Sequence, residues 1–148
     1  MIRLAANTGA GLHLVKPLGF SLRDKHLQRA GLDYHEVARV RLHADWRSCQ
    51  EFFRGRRMFA VTTRAGCRYD SVRYQARDVL VFGPETRGLP PAVIAHCDAE
   101  CGIRIPMRTR SRGLNFSNTV ETFFKTEVND IHLMYCRRTF SGACQKTE

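Results

Sequence analysis

The sequence predicts an α/β protein in which a parallel sheet is flanked by helices, and two observations support this. Short apolar runs alternate along the chain with stretches whose apolar residues recur at helical spacing. The run Val79–Phe82 contains four apolar, β-favouring residues, too few and too continuous for an amphipathic helix, so it predicts a buried parallel strand. A chain of 148 residues with no repeat or linker is expected to form a single domain over residues 1–148.

In the first half of the chain, apolar patterns and breaker residues predict three helices and two strands. The first four predicted elements are a helix over 2–8 capped by Gly9, a strand over 12–15 ended by Pro17, a helix over 24–30 and a strand over 37–42. Asp45 then caps a helix with four residues on one face, Trp46, Cys49, Phe52 and Phe53. We expect this aromatic stripe to pack into the core.

The second half predicts three strands and two helices. The predicted elements are a strand over 58–63, the Val79–Phe82 strand after a polar connection, a helix over 91–97 begun by proline, and a strand over 103–107. From Phe116 onward, apolar residues at 116, 120, 123, 124, 128, 131 and 135 keep the helical period for about five turns. The C-terminal part is therefore predicted to be helical.

Two loops at predicted strand ends are candidates for a ligand site. The first follows Gly83 and contains Pro84, Gly88 and Pro90, residues that suit a tight loop with exposed amides. The second, over 108–118, is basic, contains glycine and leads into the last helix. Because open parallel sheets bind small ligands at the carboxyl ends of their strands, both loops are expected to face one site. For the first loop, the alternative interpretation is an ordinary strand-to-helix turn.

The charge of the chain favours a polyanionic partner. There are 24 Lys and Arg residues against 14 Asp and Glu, the net charge is +10 and the pI is about 9.9. Most of the basic residues are arginine, whose guanidinium binds phosphate through two parallel hydrogen bonds. Net charge by itself governs only non-specific association, so the alternative is a soluble basic protein without a polyanionic partner.

The cysteine pattern predicts reduced thiols and no metal. Six cysteines stand at 49, 67, 97, 101, 136 and 144, without the dense spacing of a secreted disulfide scaffold. Two groups are candidates for a zinc site, His96 with Cys97 and Cys101, and His132 with Cys136. Paired C-x-x-C spacing is absent, however, and buried cysteines usually pack as small core residues. Without a membrane-span-length apolar run or a signal-peptide core, a cytoplasmic location is expected.

The two loop sequences resemble a known family of enzymes. Phe-Gly-Pro-Glu-Thr-Arg-Gly-Leu-Pro over 82–90 and Ile-Arg-Ile-Pro-Met over 103–107, with the basic loop to Asn118, resemble motifs two and three of the SPOUT class of RNA 2'-O-methyltransferases. Residues 2–9, 17–20 and 30–36 are similar to the small TrmL/YibK branch of that class. The resemblance runs without gaps from Met1 to about Asn118.

The resemblance implies a fold, a reaction and an assembly. The expected fold is the SPOUT (α/β-knot) fold with a C-terminal trefoil knot, in a homodimer. The expected reaction is S-adenosyl-L-methionine-dependent 2'-O-methylation of the wobble nucleotide of tRNA, cytidine or uridine at the first anticodon position, with leucine tRNAs as substrates. Compared with the family, the chain is expected to be N-terminally truncated, lacking a first central strand whose loss leaves ladder groups unpaired, and to diverge from about residue 126.

The resemblance also implies roles for individual residues. The cofactor-binding positions are Val61, Gly83, Glu85, Ile105, Gly113 and Leu114; the catalytic positions are Arg3 and Asn115; the RNA-binding positions are Arg108, Arg110 and Arg112. Plain strand ends explain Val61 and Ile105 equally well, a solvated charge is the alternative for Arg3, and an N-cap is the alternative for Asn115. Gly113 replaces the family's serine, and Lys125 stands where the family has tyrosine.

Three functions remain open at this point. The first is the tRNA methyltransferase. The second is a truncated, non-catalytic RNA-binding homologue, which differs from the enzyme in lacking cofactor binding. The third is a 2'-O-methyltransferase acting on ribosomal RNA, although larger relatives of that kind carry an added RNA-binding domain.

Overall fold

A computed structural model describes residues 5, 7–18, 39–84, 87–97, 102–107, 116–124 and 132–136. Within these residues it has seven strands, β1 (Gly11–Val15), β2 (Val40–His43), β3 (Met58–Val61), β4 (Cys67–Arg68), β5 (Val79–Phe82), β6 (Gly102–Arg104) and β7 (His132–Cys136). The same residues contain helices α1 (Trp46–Phe52), α2 (Pro91–His96) and α3 (Phe116–Phe124) and a 3-10 turn over Tyr69–Ser71. The predicted α/β class is confirmed.

All seven strands join in one parallel sheet. Their spatial order is β2-β1-β7-β5-β3-β6-β4, and every neighbouring pair is parallel. The last of the described strands is therefore central: Leu133 of β7 is opposite Leu12 of β1 on one side and Leu80 of β5 on the other. Parallel strands of this kind are buried on both faces, which is why their sequences read as continuous apolar runs.

Helices cover both faces of the sheet. On one face a core cluster joins α1 and α2 to the strands, through Trp46, Cys49, Phe53, Val93, Val79, Val81 and Met134. On the other face α3 packs against the alternate residues of the same strands, through Val120, Phe123, Leu12, Leu80, Phe82 and Leu133. Because successive strand residues point to opposite faces, a strand such as β5 contributes two residues to each cluster.

Helix α1 follows its prediction in all but one residue. Asp45 is its N-cap, and the backbone N–H of Ser48 donates to Asp45 Oδ1 over 2.7 Å. Phe53 is buried, whereas the predicted burial of Phe52 is wrong because 39% of that residue is exposed. Seven residues make nearly two whole helical turns, so position 53 returns to the face of Trp46 while position 52 points away from it.

Most other described elements are as predicted, with small shifts at their ends. The predicted strands at 12–15 and 79–82 and the helix begun by Pro91 are confirmed. The strands predicted over 58–63 and 103–107 are shorter, and β4 within the polar connection was not predicted. The described residues of the first helix, 5, 7 and 8, are helical, and Gly9 follows with φ of +69°. The helix predicted over 24–30 and residues 37–38 lie outside the described residues.

The predicted five-turn C-terminal helix is confirmed over Phe116–Phe124 and wrong at residues 132–136, and residues 125–131 lie outside the described part of the chain. Residues 132–136 form β7, in which Leu133 and Met134 are neighbours and both fully buried, on opposite faces of the sheet. A short apolar run fits a buried strand and a buried helix equally well, so the helical spacing that included Tyr135 did not identify its strand. Strand β7 pairs with β1 on one side and with β5 on the other, while the truncation that the resemblance implies stays a prediction.

Candidate cofactor-binding site

Three neighbouring strands end at the same edge of the sheet. In the order β5-β3-β6, Val61 at the end of β3 lies opposite Phe82 of β5 and Ile103 of β6. The backbone N–H of Thr62 donates to the carbonyl of Ile103 over 2.9 Å, which extends this ladder past the end of β3. Gly83 and Ile105 follow directly, so the structure brings together three of the predicted cofactor positions, 61, 83 and 105, each of them partly buried.

The loop after β5 folds back tightly on the end of its own strand. A Cβ added at Gly83 would lie 2.5 Å from the carbonyl carbon of Gly88 and 2.5 Å from the backbone nitrogen of Leu89. The N–H of Gly88 donates to the carbonyl of Pro84 over 2.8 Å, and Gly88 has φ of +67°, where side chains are strained. Both glycines are therefore required by the backbone itself.

Helix α3 supports this edge from one face of the sheet. The rings of Phe82 and Phe123 meet edge to face with centroids 5.9 Å apart, and both residues are buried. Val61 and Ile105 also pack, half-buried, against the core cluster that contains these rings. This packing agrees with the alternative that Val61 and Ile105 are ordinary strand ends. Their contacts with a cofactor stay a prediction.

The remaining predicted site positions lie outside the described residues. They are Arg3, Glu85, Arg108, Arg110, Arg112, Gly113, Leu114 and Asn115. The described ends of β5, β6 and α3 border the segments that carry all of these except Arg3. Their roles stay predictions.

Both candidate zinc groups contain a histidine with other contacts in the described residues. The ring of His96 packs edge to face on Trp46 with centroids 5.9 Å apart, and His132 hydrogen-bonds to another histidine. Within the described part of the chain, no cluster of three or more His, Cys, Asp or Glu side chains is arranged to hold a metal ion. The thiol of Cys49 contacts Met134 Sδ over 3.5 Å, and Cys67 is a free thiol.

The sequence pattern did not predict a row of three histidines on the α1 face of the sheet. His13 of β1 lies between His43 of β2 and His132 of β7, with ring nitrogens 2.9 Å and 3.1 Å apart respectively. The only signal was the alternation Leu-His-Leu in β1, which places a polar side chain at a buried position. Alternation predicts burial but does not identify the partners.

Comparison with known proteins identifies the family of this chain. Residues 1–124 match the SpoU rRNA Methylase family. The chain belongs to this family. The match contains β1 to β6, the Gly83 loop and α3, and it ends at the last residue of α3. Strand β7 lies beyond it.

Two similar proteins are about half identical to this chain over most of its length. A tRNA (cytidine(34)-2'-O)-methyltransferase of Methylovorus glucosotrophus (strain SIP3-4) is 54% identical over 119 residues, covering 80% of this chain and 77% of the relative. The protein of the same name from Escherichia coli (strain K12) is 50% identical over 120 residues, covering 81% and 76%.

Solved structures of similar proteins share the fold. One, described as giving insight into the 2-OH methylation of C/U34 on tRNA, superposes with a TM-score of 0.76 at 40% identity, covering 82% of this chain and 79% of the other. A putative RNA methyltransferase from Bacillus anthracis gives 0.75 at 36% identity, covering 84% and 79%. No helix among the described residues is long and apolar enough to span a membrane.

Proposed function

We propose that this SpoU-family chain methylates the ribose 2'-hydroxyl of the wobble nucleotide of tRNA, cytidine or uridine at position 34. The observation that carries the proposal is the tight Gly83 loop beside the ends of β3 and β6, in a chain 54% identical to a tRNA (cytidine(34)-2'-O)-methyltransferase. A loop of exposed amides at the carboxyl ends of parallel strands is where this class of sheet binds small ligands.

The proposed methyl donor is S-adenosyl-L-methionine, which supplies an activated methyl group on a sulfonium. The edge suits such a ligand, because Val61 and Ile105 offer apolar surface while the close approach of Gly83 to Gly88 leaves backbone groups at the rim. Gly113 and Leu114 complete the proposed adenine pocket. Glu85 is proposed to hydrogen-bond the donor's ribose or amino group.

The substrate hydroxyl must lose its proton, and Arg3 is the residue we assign to that oxygen. A guanidinium stays protonated in proteins, so Arg3 does not serve as a base. It stabilises the developing alkoxide and grips the adjacent phosphate, while the proton leaves to phosphate or solvent. Asn115 orients the loop or the substrate. Holding donor and hydroxyl in line supplies much of the rate.

The RNA is bound mainly through its phosphates. Arg108, Arg110 and Arg112 are proposed to contact the backbone, in agreement with the net charge of +10. We further propose a single domain over residues 1–148, a homodimer with a C-terminal trefoil knot, leucine tRNAs as substrates and a cytoplasmic location.

The test is a methyl-transfer assay followed by mass spectrometry of the RNA. Leucine tRNA transcripts with C34 or U34 are incubated with the full chain and labelled S-adenosyl-L-methionine, and transcripts with a purine at 34 serve as controls. Methylation at ribose 34 of the pyrimidine transcripts is expected. Methylation of ribosomal RNA in place of tRNA contradicts the proposed substrate, and failure to bind the donor in calorimetry contradicts the proposed enzyme.

A further inference from the structure

The three histidines on the α1 face end at an arginine. His13 Nδ1 lies 2.9 Å from His43 Nε2, and His13 Nε2 lies 3.1 Å from His132 Nδ1. The other nitrogen of His132, Nε2, is 3.0 Å from a terminal nitrogen of Arg56. These side chains form one continuous row from β2 through β1 and β7 to the segment between α1 and β3.

Arg56 determines where the hydrogens lie in this row. A guanidinium can only donate, so His132 Nε2 must accept and His132 Nδ1 must carry the hydrogen. That hydrogen is donated to His13 Nε2, so His13 in turn donates from Nδ1 to His43 Nε2. Burial is the largest cause that lowers the pKa of His13 to about 3, and the positive charges of Arg41 and Arg56 lower it further. Arg56 is thus held in place by a neutral acceptor.

Arg56 and its neighbour Arg57 differ in whether a carboxylate neutralises their charge. Arg57 is neutralised by the buried carboxylate of Asp78, with Nε at 2.9 Å from Oδ1 and a terminal nitrogen at 2.6 Å from Oδ2. Arg56 has no carboxylate partner among the described residues and lies over the rings of Phe52 and Phe53. The fold therefore fixes the position of a positive charge without cancelling it.

Arg56 borders a basic cavity. The cavity has a volume of about 400 Å³, and its lining includes Arg47, Glu51, Arg54, Arg56, Met58 and His96. Glu51 is paired with Arg54 at 2.5 Å, which leaves the charges of Arg47 and Arg56 in excess. Met58 begins β3, so the cavity lies at the amino-terminal end of that strand, opposite the edge with the candidate cofactor site.

We propose that this cavity is a phosphate-binding site in which Arg56, positioned by His132, is the principal cation. A phosphate oxygen suits it because charge-assisted hydrogen bonds from guanidinium to phosphate are short and strong. The phosphate belongs either to an RNA backbone or to a small phosphorylated compound. The site is separate from the methyl-transfer edge and does not depend on it.

The first test compares two arginine variants of the full chain. Binding of inorganic phosphate is measured by calorimetry at constant ionic strength, with chloride as the reference anion. Arg56→Gln is expected to weaken phosphate binding roughly tenfold or more, as for loss of one charge-assisted hydrogen bond. Arg73→Gln, which removes an equal charge from an exposed position outside the cavity, is expected to change it less than about twofold. Equal losses in the two variants overturn the proposal, as does wild-type binding no stronger for phosphate than for chloride.

The second test separates positioning from folding. His132 does not line the cavity, so His132→Leu should weaken phosphate binding only through Arg56, and His132→Gln, which keeps an acceptor, should restore part of it. Thermal unfolding of each variant checks the fold. If Arg56→Gln is unfolded, the exposed Arg47→Gln decides, with a several-fold loss expected and no loss contradicting the site.

A third measurement identifies the source of the phosphate. Binding of a short single-stranded RNA is measured for wild type and Arg56→Gln, alongside S-adenosyl-L-methionine binding. Parallel loss of RNA and inorganic phosphate affinity assigns the site to an RNA backbone, whereas loss of inorganic phosphate alone assigns it to a small phosphorylated compound. Donor binding is expected to be unchanged, so failure of this site and failure of the methyltransferase proposal are distinguishable.

Discussion

Leu133→Ala tests whether the segment beyond the SpoU match is part of the core. Leu133 is 1% exposed and lies in the middle of the sheet, opposite Leu12 and Leu80. It belongs to the core cluster under α3, so removing its side-chain carbons leaves a cavity between two strands that belong to the family match. Leu42→Ala is the matched control, because Leu42 lies on the edge strand β2 and is 45% exposed.

The expected magnitude follows from burial. Buried Leu→Ala substitutions cost about 2 to 5 kcal/mol, as lost transfer energy plus the cavity left behind. Total stability of a domain is about 5 to 15 kcal/mol, so Leu133→Ala is expected to remove a large part of it. The exposed control removes the same atoms but creates no cavity, so we expect a cost of about 0.5 kcal/mol.

Equilibrium unfolding in urea, followed by circular dichroism and tryptophan fluorescence, measures both variants. The midpoint should fall much further for Leu133→Ala than for Leu42→Ala, with an unchanged slope. Equal midpoints would refute the central position of β7. A lower slope together with a lower midpoint would indicate that the denatured or native state had changed in compactness, and the free energies would then have to be compared by a second probe.

Three further predictions follow from single contacts. Gly83→Ala should weaken S-adenosyl-L-methionine binding while Gly66→Ala, where a Cβ meets nothing within 4 Å, should not; equal affinities in calorimetry would argue against the loop as a cofactor site. Because burial lowers the pKa of His13 to about 3, the unfolded chain binds a proton between about pH 6.5 and pH 3 that the folded chain does not bind, so the free energy of unfolding should decrease as the pH falls through that range. Urea midpoints at several pH values should show a shallower dependence for His13→Gln, and identical slopes would contradict the assignment. Gly11→Ala should destabilise by about 1 to 3 kcal/mol, since its Cβ would lie 2.6 Å from His132 Nδ1, and a double-mutant cycle with His132→Ala should reveal the coupling; strictly additive effects would exclude it.

The fold was predictable where local pattern and tertiary environment agree. The Val79–Phe82 strand is apolar throughout because both of its faces are covered, and Asp45 begins α1 because its side chain caps the first turn. Strand β4 was not predictable, since two residues at a sheet edge carry no periodic signal. The burial of Phe52 was predicted wrongly because the apolar face of α1 is too narrow to include both Phe52 and its neighbour Phe53.

The candidate cofactor site was predictable in part, because its signal lies in backbone chemistry. Glycines at 83 and 88 are required by close approach and by positive φ, and such requirements are visible in sequence. The register that places Val61 between Phe82 and Ile103 depends on residues far apart in the sequence. The sequence predicted parallel strands but not which of their residues lie opposite each other. The histidine row was not predictable, because His13, His43 and His132 come from three separated strands that only the folded sheet makes neighbours.

The contact between Gly11 and His132 bears on how the end of the chain relates to the rest. Gly11 lies within the SpoU match and His132 lies beyond it, yet a side chain at position 11 would overlap the ring of His132. That ring is held at both nitrogens, by His13 and by Arg56, which are themselves within the match. Because its backbone pairs on both sides and its side chains meet matched residues on both faces, β7 is fitted to the matched core rather than appended to it. The family match ends at Phe124, whereas the sheet and its core continue through β7 to Cys136.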